Sequence, residues 1–253
     1  MIFESPSWSR IPALRALWKE AFGDTDEFLD GFFEYGFSPD RCRCIVKDGA
    51  VLSALYWFEG TVENQRFAYL YAVATAKAAR GQGLFSALLQ DVKGLLAAEG
   101  YDGILLHPAD EGLARMYEKF GFSACASVDV RRIGAVEASP AAAIGEIGAE
   151  SYMALRKKYL PHGAVLQEGD WLPFLNSQYR FFGGDFLAAG QIYEGKFYAQ
   201  EFLGNADCMA PLLCALGVEE GIFRTVGEST PFVWYLPLTE RCTPPTYFAM
   251  ALD

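Results

Sequence analysis

Two glycines one residue apart, Gly81 and Gly83, separate a β-rich run from an apolar helical run in the stretch ARGQGLFSALL. Glycine has no Cβ and adopts positive φ readily, so a ligand can approach the backbone closely at such positions. The N–H groups and the dipole at the start of a helix favour an anion. The spacing therefore predicts a phosphate or pyrophosphate site at residues 80–84, to which Arg80 adds positive charge.

Two common phosphate motifs differ from this loop. A P-loop requires a lysine and then Ser or Thr after its second glycine, whereas Leu84 follows Gly83 here. A dinucleotide fingerprint requires a third glycine, where this chain has Ser86, and a βαβ unit in place of the antiparallel hairpin that precedes the loop. The first motif is therefore excluded and the second is weakly supported.

The elements that position the loop follow from periodicity and turn signals. Helices are expected over residues 7–22 and around Phe28–Phe33, then a hairpin turning at Asp48-Gly49. The strand RFAYLYAVAT leads toward residues 80–84, which we call the glycine loop, and a helix spans about residues 83–99. A strand (YDGILLHP), a helix (DEGLARMYEKFGF) and a strand (FSACASVDVRRI) follow. This order predicts a mixed α/β fold.

The second half begins after an Ala-, Gly- and Pro-rich stretch. We predict domains at residues 1–136 and 151–253, joined by a linker at 137–150. The second domain should contain helices near 150–160 and 170–182, a hairpin turning at Glu194-Gly195, and a helix near 206–216. Strands GIFRTV, PFVWYLPL and YFAMAL then follow. The order of hairpin, helix and strand echoes the first half, which leaves an internal repeat open, but the equivalent strand-to-helix junction reads GNADCM and lacks the two glycines.

Composition limits the function classes. The net charge of −11 disfavours nucleic-acid binding, which requires a basic surface. No apolar run approaches the roughly 18 residues of a membrane span, and the N-terminus lacks signal-peptide features, so we expect a cytoplasmic protein with no membrane partner. The six cysteines match no zinc spacing, so no metal is expected, and two histidines give little support for a Cys–His enzyme.

The stretch VATxxxxRGQGLFSALL resembles the acetyl-CoA-binding motif of the GNAT acyltransferase superfamily. LARMYEKFGF, 30 residues downstream, resembles the final helix of that superfamily, with its tyrosine and its K-x-G-F ending. The order of elements over about residues 1 to 130 also matches. The chain departs from the pattern at Ala78, where the family has Gln or Arg, so one side-chain contact to the phosphates is lost.

The resemblance implies a GNAT-like fold, with a mixed, mostly antiparallel sheet that carries helices on both faces, plus a second smaller α/β domain that is a degenerate GNAT-like half. It implies acetyl-CoA as cosubstrate. Tyr117 would be the catalytic residue, donating a proton or hydrogen bond to the leaving CoA thiolate. The implied cofactor-binding residues are Val73, Ala74 and Thr75 for the pantetheine arm, and Arg80, Gly81, Gln82, Gly83 and Leu84 for the pyrophosphate.

The residue that deprotonates the amine is not identified by the sequence, because RFAYLYAVAT contains no carboxylate. Glu59, Glu63 and His107 are candidates that surface or structural roles explain equally well. Asp24 and Asp26 could attract a cationic amine, but both could also cap the second helix.

We therefore predict an acetyl-CoA-dependent N-acetyltransferase that acts on an amine of a small molecule or peptide, and leave a homodimer open. The alternative is a non-catalytic acyl-CoA-binding sensor or pseudoenzyme, which Ala78 and the missing carboxylate favour. A plain interaction domain is a third hypothesis, and it predicts no binding of CoA.

Overall fold

The computed structural model describes residues 1–135, 144–169 and 171–252. In these ranges the strands are Ile2–Glu4 (β1), Cys42–Lys47 (β2), Ala50–Val62 (β3), Gln65–Thr75 (β4), Gly103–Leu106 (β5), Ser123–Gly134 (β6), Gly145–Glu146 (β7), Arg180–Gly183 (β8), Phe186–Tyr193 (β9), Lys196–Gly204 (β10), Glu220–Val226 (β11) and Thr230–Pro237 (β12). The α-helices are Ile11–Phe22 (α1), Asp26–Gly31 (α2), Leu84–Ala98 (α3), Glu111–Glu118 (α4), Ala149–Tyr159 (α5), Trp171–Gln178 (α6) and Met209–Leu216 (α7).

The chain forms two compact units. The first comprises Met1–Leu106, Gln167–Phe174 and Leu236–Thr243, and the second comprises His107–Leu166, Leu175–Tyr235 and Pro244–Asp253. The compact units therefore do not coincide with consecutive halves of the sequence, because β6 precedes residue 136 but pairs with β11 and β12 in the second unit. The boundaries 1–136, 137–150 and 151–253 stay a prediction, and residues 136–143 lie outside the described part of the chain.

Each unit contains a mostly antiparallel sheet. The strand order is β1-β2-β3-β4-β5 in the first unit and β12-β6-β11-β10-β9-β8-β7 in the second. In the first unit the parallel pair is β4–β5, which α3 connects, and in the second it is β10–β11, which α7 connects. Both units thus repeat the predicted order of hairpin, helix and strand, and the predicted mixed α/β fold is confirmed.

Both predicted hairpin turns form at residues with positive φ. Asp48 and Gly49 have φ values of 51° and 84°, and Glu194 and Gly195 have values of 48° and 75°. A type I′ hairpin turn requires this left-handed conformation at both central residues, which Asp-Gly and Glu-Gly provide here.

Helices cover both faces of the sheet in the first unit. Arg43 pairs with Leu55 across β2 and β3, and its Nε donates to the Asp91 carboxylate on α3 at 2.6 Å. Tyr56, the next residue of β3, lies 5.2 Å from the Trp18 ring on α1. Since consecutive strand residues point to opposite faces, α1 and α3 lie on opposite sides of the sheet.

Four predicted elements differ in detail. The first helix begins only at Ile11, after a 3₁₀ turn, and the second ends as a π-helical segment at Phe32–Gly36. The helix expected near 170–182 stops at Gln178, and Arg180–Gly183 form β8 instead. The helix expected near 206–216 begins at Met209, after a 3₁₀ turn.

The predicted strand YFAMAL is wrong. Residues 247–251 are buried, but their pairing with the rest of the described chain is limited to a single bridge between Tyr247 and Ala164. Two prolines, Pro244 and Pro245, precede the run and cannot donate backbone hydrogen bonds. The apolar composition therefore reflects burial without a strand ladder.

The two cores differ in chemistry. In the first unit, aromatic rings of α1, α2, the π-helical segment after α2, β3 and β4 pack together. The ring centres of Trp18 on α1 and Phe32 on the π-helical segment are 4.5 Å apart. In the second unit, a fully buried ion pair joins Arg156 of α5 to Glu201 of β10, and the Tyr152 hydroxyl donates to the same carboxylate at 3.1 Å.

None of the helices within the described ranges has the length and apolarity needed to cross a membrane.

Candidate functional site

The end of β4 is bulged. Tyr71 pairs with Tyr56 and Ala74 pairs with Ala54, so Ala72 and Val73 together face a single residue of β3. Ala72 has a φ of 47°, as expected where an extra residue is inserted. The bulge therefore lies in the last residues of β4, which the 3₁₀ turn Lys77–Ala79 connects to the glycine loop.

One edge of β4 extends beyond its pairing with β5. The described pairing of these two strands covers Phe67, Ala68 and Tyr69, while β4 continues to Thr75. Backbone N–H and C=O groups at an extended strand edge can pair with amides of another molecule, as in β-strand addition. The predicted residues Val73, Ala74 and Thr75 lie on this segment.

Thr75 turns its backbone groups toward that edge. Ala76 N donates to Leu52 O at 2.9 Å, so residues 52 and 76 form a hydrogen-bonded pair. Hydrogen-bonded and non-hydrogen-bonded pairs alternate in an antiparallel ladder, and Thr75 with Ser53 is therefore a non-hydrogen-bonded pair. The N–H and C=O of Thr75 consequently point away from β3, and Arg80 Nε donates to this carbonyl at 3.1 Å.

The glycine loop encloses open space. Gly81 and Gly83 have φ values of 74° and 75°, and a Cβ added at either position would meet nothing within 4 Å. Gly83 is the N-cap of α3, and no side chain caps this helix. A depression of about 140 Å³ lies here, lined by Thr75, Ala79, Arg80, Gly81, Gly83, Leu84 and Phe85.

These features make the loop suitable for an anion. The first N–H groups of a helix have no partner within it, and a capping side chain would normally satisfy some of them. Here the cap residue has no side chain, and Arg80 is the ionisable side chain among the residues that line the depression. Backbone donors, the helix dipole and a guanidinium therefore converge on one space, which fits a phosphate group.

One side chain of the loop and one of α1 stabilise the turn itself. Gln82 Nε2 donates to Ala78 O at 3.3 Å, and the backbone N–H of Lys77 donates to the Glu20 carboxylate on α1. Ala78 is exposed in the 3₁₀ turn Lys77–Ala79. Gln82 thus contributes to turn geometry, and its side chain is not among those lining the depression.

Tyr117 belongs to the second compact unit, on α4. Asp110 caps this helix, as the sequence predicts, by accepting from Leu113 N at 2.8 Å. The Tyr117 side chain is 8% exposed, and its ring lies 5.6 Å from the Phe122 ring. Burial raises the pKa of Tyr117 to about 12, so the phenol keeps its proton at neutral pH.

The candidates for the base have structural partners. Glu59 accepts from Arg66 Nη2 at 2.7 Å and from the Tyr101 hydroxyl at 3.0 Å. The hydrogen bond from Arg66 lowers the pKa of Glu59, which makes it a weaker base. His107 Nδ1 lies 2.6 Å from Phe232 O, and because a carbonyl only accepts, this nitrogen carries the proton.

The carboxylates beside α2 are also partnered. Thr25 caps the helix, accepting from Phe28 N at 3.2 Å, so neither Asp24 nor Asp26 is the N-cap. Asp24 accepts from the indole N–H of Trp18 at 2.7 Å. Asp26 pairs with Lys19 and Arg15, and the hydrogen bond from Lys19 is the main cause of its lowered pKa. Glu63 occupies the turn between β3 and β4, with a φ of 52°.

The corresponding junction in the second unit has different chemistry. Gly204 ends β10 with a φ of 91°, and Asn205 then caps the 3₁₀ turn before α7 by accepting from Asp207 N at 3.0 Å. The cap and the acidic Asp207 lie on the 3₁₀ turn that runs directly into α7, whose own N-cap residue, Cys208, makes no side-chain cap bond. A side-chain acceptor and a negative charge at this junction make it less suited to an anion than the start of α3. Among the described side chains, no group of three or more His, Cys, Asp or Glu residues could hold a metal ion.

Sequence reasoning missed Ser53. This residue is fully buried on β3, and its hydroxyl contacts the end of β4. The available signal is a hydroxyl in the otherwise apolar run VLSALYWF. That signal alone does not reveal the cross-strand partner, which depends on the register of the two strands.

Comparison with known proteins is consistent with this geometry. Residues 6–125 match the family model for an acetyltransferase (GNAT) domain. A probable N-acyltransferase from Enterococcus faecalis has a TM-score of 0.72 at 16% identity, covering 94% of this chain and 72% of that chain. A GCN5-related N-acetyltransferase from Anabaena variabilis has a TM-score of 0.72 at 15% identity, covering 94% and 73%.

A tandem GNAT protein from the clavulanic acid biosynthesis pathway has a TM-score of 0.60 at 10% identity, covering 95% of this chain and 99% of that chain. At these identities the likeness concerns the fold, and it extends over both halves of the chain. The search of curated proteins gave no match.

Proposed function

We propose that this protein is an acetyl-CoA-dependent N-acetyltransferase, since residues 6–125 match the family model for an acetyltransferase (GNAT) domain. The observation that carries the proposal is the uncapped start of α3, where two left-handed glycines leave open space beside the extended edge of β4. The acceptor we propose is an amine of a small molecule or peptide.

The first unit offers a suitable group for each part of acetyl-CoA. The backbone N–H groups from Gly81 to Leu84 and the Arg80 guanidinium would hold the pyrophosphate. The edge of β4 at Val73–Thr75 would pair with the amides of the pantetheine arm. Arg80 supplies the positive charge that Ala78 does not, and its hydrogen bond to Thr75 O holds it beside the loop.

In the proposed reaction the amine lone pair attacks the thioester carbon, the C–S bond breaks, and the thiolate leaves. Tyr117 would donate a hydrogen bond to the departing sulfur. With a Tyr117 pKa of about 12 and a thiol pKa near 8.5, full proton transfer would be uphill by about 5 kcal/mol. Tyr117 therefore acts as a hydrogen-bond donor that keeps its proton, and the proton released by the amine protonates the thiolate.

A non-catalytic acyl-CoA-binding sensor is the second candidate. It is favoured by Ala78 and by the internal partners of Glu59, Asp24 and Asp26, which leave these carboxylates poorly suited to activating an amine. Both candidates predict binding of acetyl-CoA, and they differ in turnover.

The deciding experiment measures binding and turnover on one preparation. Calorimetry gives the Kd for acetyl-CoA, and release of free thiol is followed over a panel of amines. The enzyme predicts thiol release that requires both substrates, whereas a sensor binds acetyl-CoA without amine-dependent release. Failure to bind acetyl-CoA would contradict both candidates and support an interaction domain. Thermal unfolding gives an independent check of binding, because a ligand at a hundred times its Kd should stabilise the protein by about 2.7 kcal/mol.

A further inference from the structure

Two hydrogen-bonded hydroxyl groups, of Ser53 and Thr75, join β3 to the end of β4. Ser53 is fully buried, and its Oγ donates to Ala74 O at 2.8 Å. The same Oγ lies 2.9 Å from Thr75 Oγ1. Thr75 also lines the depression and accepts from Arg80 Nε through its carbonyl oxygen. One buried serine therefore contacts the two residues that lead into the glycine loop.

The direction of these hydrogen bonds follows from counting protons. A carbonyl oxygen only accepts, so the single hydroxyl proton of Ser53 points to Ala74 O. The bond between Ser53 and Thr75 must then use the proton of Thr75. With that proton engaged, Thr75 Oγ1 retains lone pairs alone, and any further hydrogen bond that it makes must come from a donor on another molecule.

This acceptor-only hydroxyl discriminates between the parts of an acyl-CoA. The amides of the pantetheine arm carry N–H donors, which Thr75 Oγ1 can accept. Phosphate oxygens are themselves acceptors, so they are repelled at Thr75 and favoured at the N–H groups after Gly81. If the Ser53 oxygen were not there to accept the Thr75 proton, the Thr75 hydroxyl could rotate and donate to a phosphate oxygen instead.

We propose that Thr75 is a specificity-determining contact for the amide-bearing arm of acyl-CoA, and that Ser53 is the positioning residue that keeps the Thr75 hydroxyl acceptor-only. The pair thereby sets the register of the ligand, with an amide N–H at Thr75 and the phosphates at residues 81–84. This inference rests on the proposed function, since it requires acyl-CoA in the depression.

The test compares two ligands. Acetyl-CoA carries the arm, whereas 3′-phosphoadenosine 5′-diphosphate carries the same phosphates without the arm. Thr75→Val removes the hydroxyl at nearly constant volume and should weaken acetyl-CoA binding about fivefold, the usual value of a neutral hydrogen bond. Binding of the armless diphosphate should not change, and the KM for acetyl-CoA should rise with kcat unaltered.

Rescue and control variants separate this role from general destabilisation. Thr75→Ser keeps the hydroxyl and should restore wild-type affinity for acetyl-CoA. Ser53→Ala should reduce the preference for acetyl-CoA over the armless diphosphate, because it frees the Thr75 proton. Thr61→Val, on the same strand as Ser53, serves as the matched control and should change neither Kd.

Two results would overturn the inference and leave the proposed function intact. In the first, Thr75→Val binds acetyl-CoA as tightly as Thr61→Val. In the second, Thr75→Val weakens both ligands equally, which would assign the hydroxyl to the phosphates. If wild-type protein binds neither ligand, the proposed function and this inference both fail.

Discussion

Replacing Gly83 by alanine separates the two reasons for a glycine at this position. Gly83 has a φ of 75°, and a Cβ there would meet nothing within 4 Å of the chain itself. The left-handed conformation costs an alanine about 1–2 kcal/mol. The variant should therefore fold, with its melting temperature lowered by roughly 2–8 °C for a protein of this size.

The effect on ligand binding should be larger. Gly83 lines the depression at the start of α3, so the added methyl group would occupy space that we assign to a phosphate. Loss of one charge-assisted hydrogen bond costs about 1.5–3 kcal/mol, which corresponds to an increase of about 10- to 150-fold in the Kd for acetyl-CoA.

Gly100 provides a matched control at the other end of α3. It has a φ of 80°, and a Cβ there would also meet nothing within 4 Å, but it does not line the depression. Gly100→Ala should lose similar stability and keep wild-type affinity. Thermal unfolding and calorimetry on both variants measure the two effects. Equal affinity for acetyl-CoA in the two variants would refute the phosphate assignment and leave Gly83 with a role in the turn alone.

Three further predictions concern other residues. Because Tyr117 donates a hydrogen bond to a charged sulfur and keeps its proton, Tyr117→Phe should lower kcat by about 10- to 150-fold in the thiol-release assay while the Kd for acetyl-CoA stays unchanged. Glu201→Gln leaves the buried Arg156 charge unpaired and should cost about 3–5 kcal/mol in urea unfolding, whereas Glu146→Gln removes an exposed ion pair and should cost under about 1 kcal/mol. The pKa of Asp102 is lowered, chiefly by the hydrogen bond from the backbone N–H of Arg66. The ionised carboxylate therefore stabilises the fold above about pH 4, and this stabilisation is lost as the pH falls through the lowered pKa. The difference in unfolding free energy between wild-type protein and Asp102→Asn, measured by urea unfolding, should shrink as the pH is lowered.

Features that depend on a few adjacent residues could be predicted from the sequence. The turns at Asp48-Gly49 and Glu194-Gly195, and the cap at Asp110, each follow from the conformational preference of one or two residues. The same holds for Gly81 and Gly83, whose left-handed φ is a local property.

Features that depend on distant partners could not be predicted. The run YFAMAL has the composition of a strand, but a strand also needs a neighbour with matching register, and residues 247–251 have one bridge. The sequence leaves Asp24 and Asp26 as candidates for substrate contact, whereas the structure pairs them with Trp18 and Lys19, which no local pattern indicates. Ser53 likewise acquires its role only when strand register brings it opposite Thr75.

Both units repeat the same order of elements, so the chemical difference between their strand-to-helix junctions indicates which junction binds a ligand. In each, a bulged strand leads through a glycine with positive φ into a helix that connects a parallel strand pair, with bulges after Tyr71 in β4 and after Ala199 in β10. The first helix start is uncapped, whereas the second is preceded by a turn that Asn205 caps and that carries Asp207. Since Asn205 already accepts a hydrogen bond at this junction and Asp207 adds negative charge to it, an external anion gains little there, and the first unit should bind acetyl-CoA whereas the second should not. Calorimetry should accordingly give one acetyl-CoA per chain, and a stoichiometry of two would contradict the assignment of the second half as degenerate.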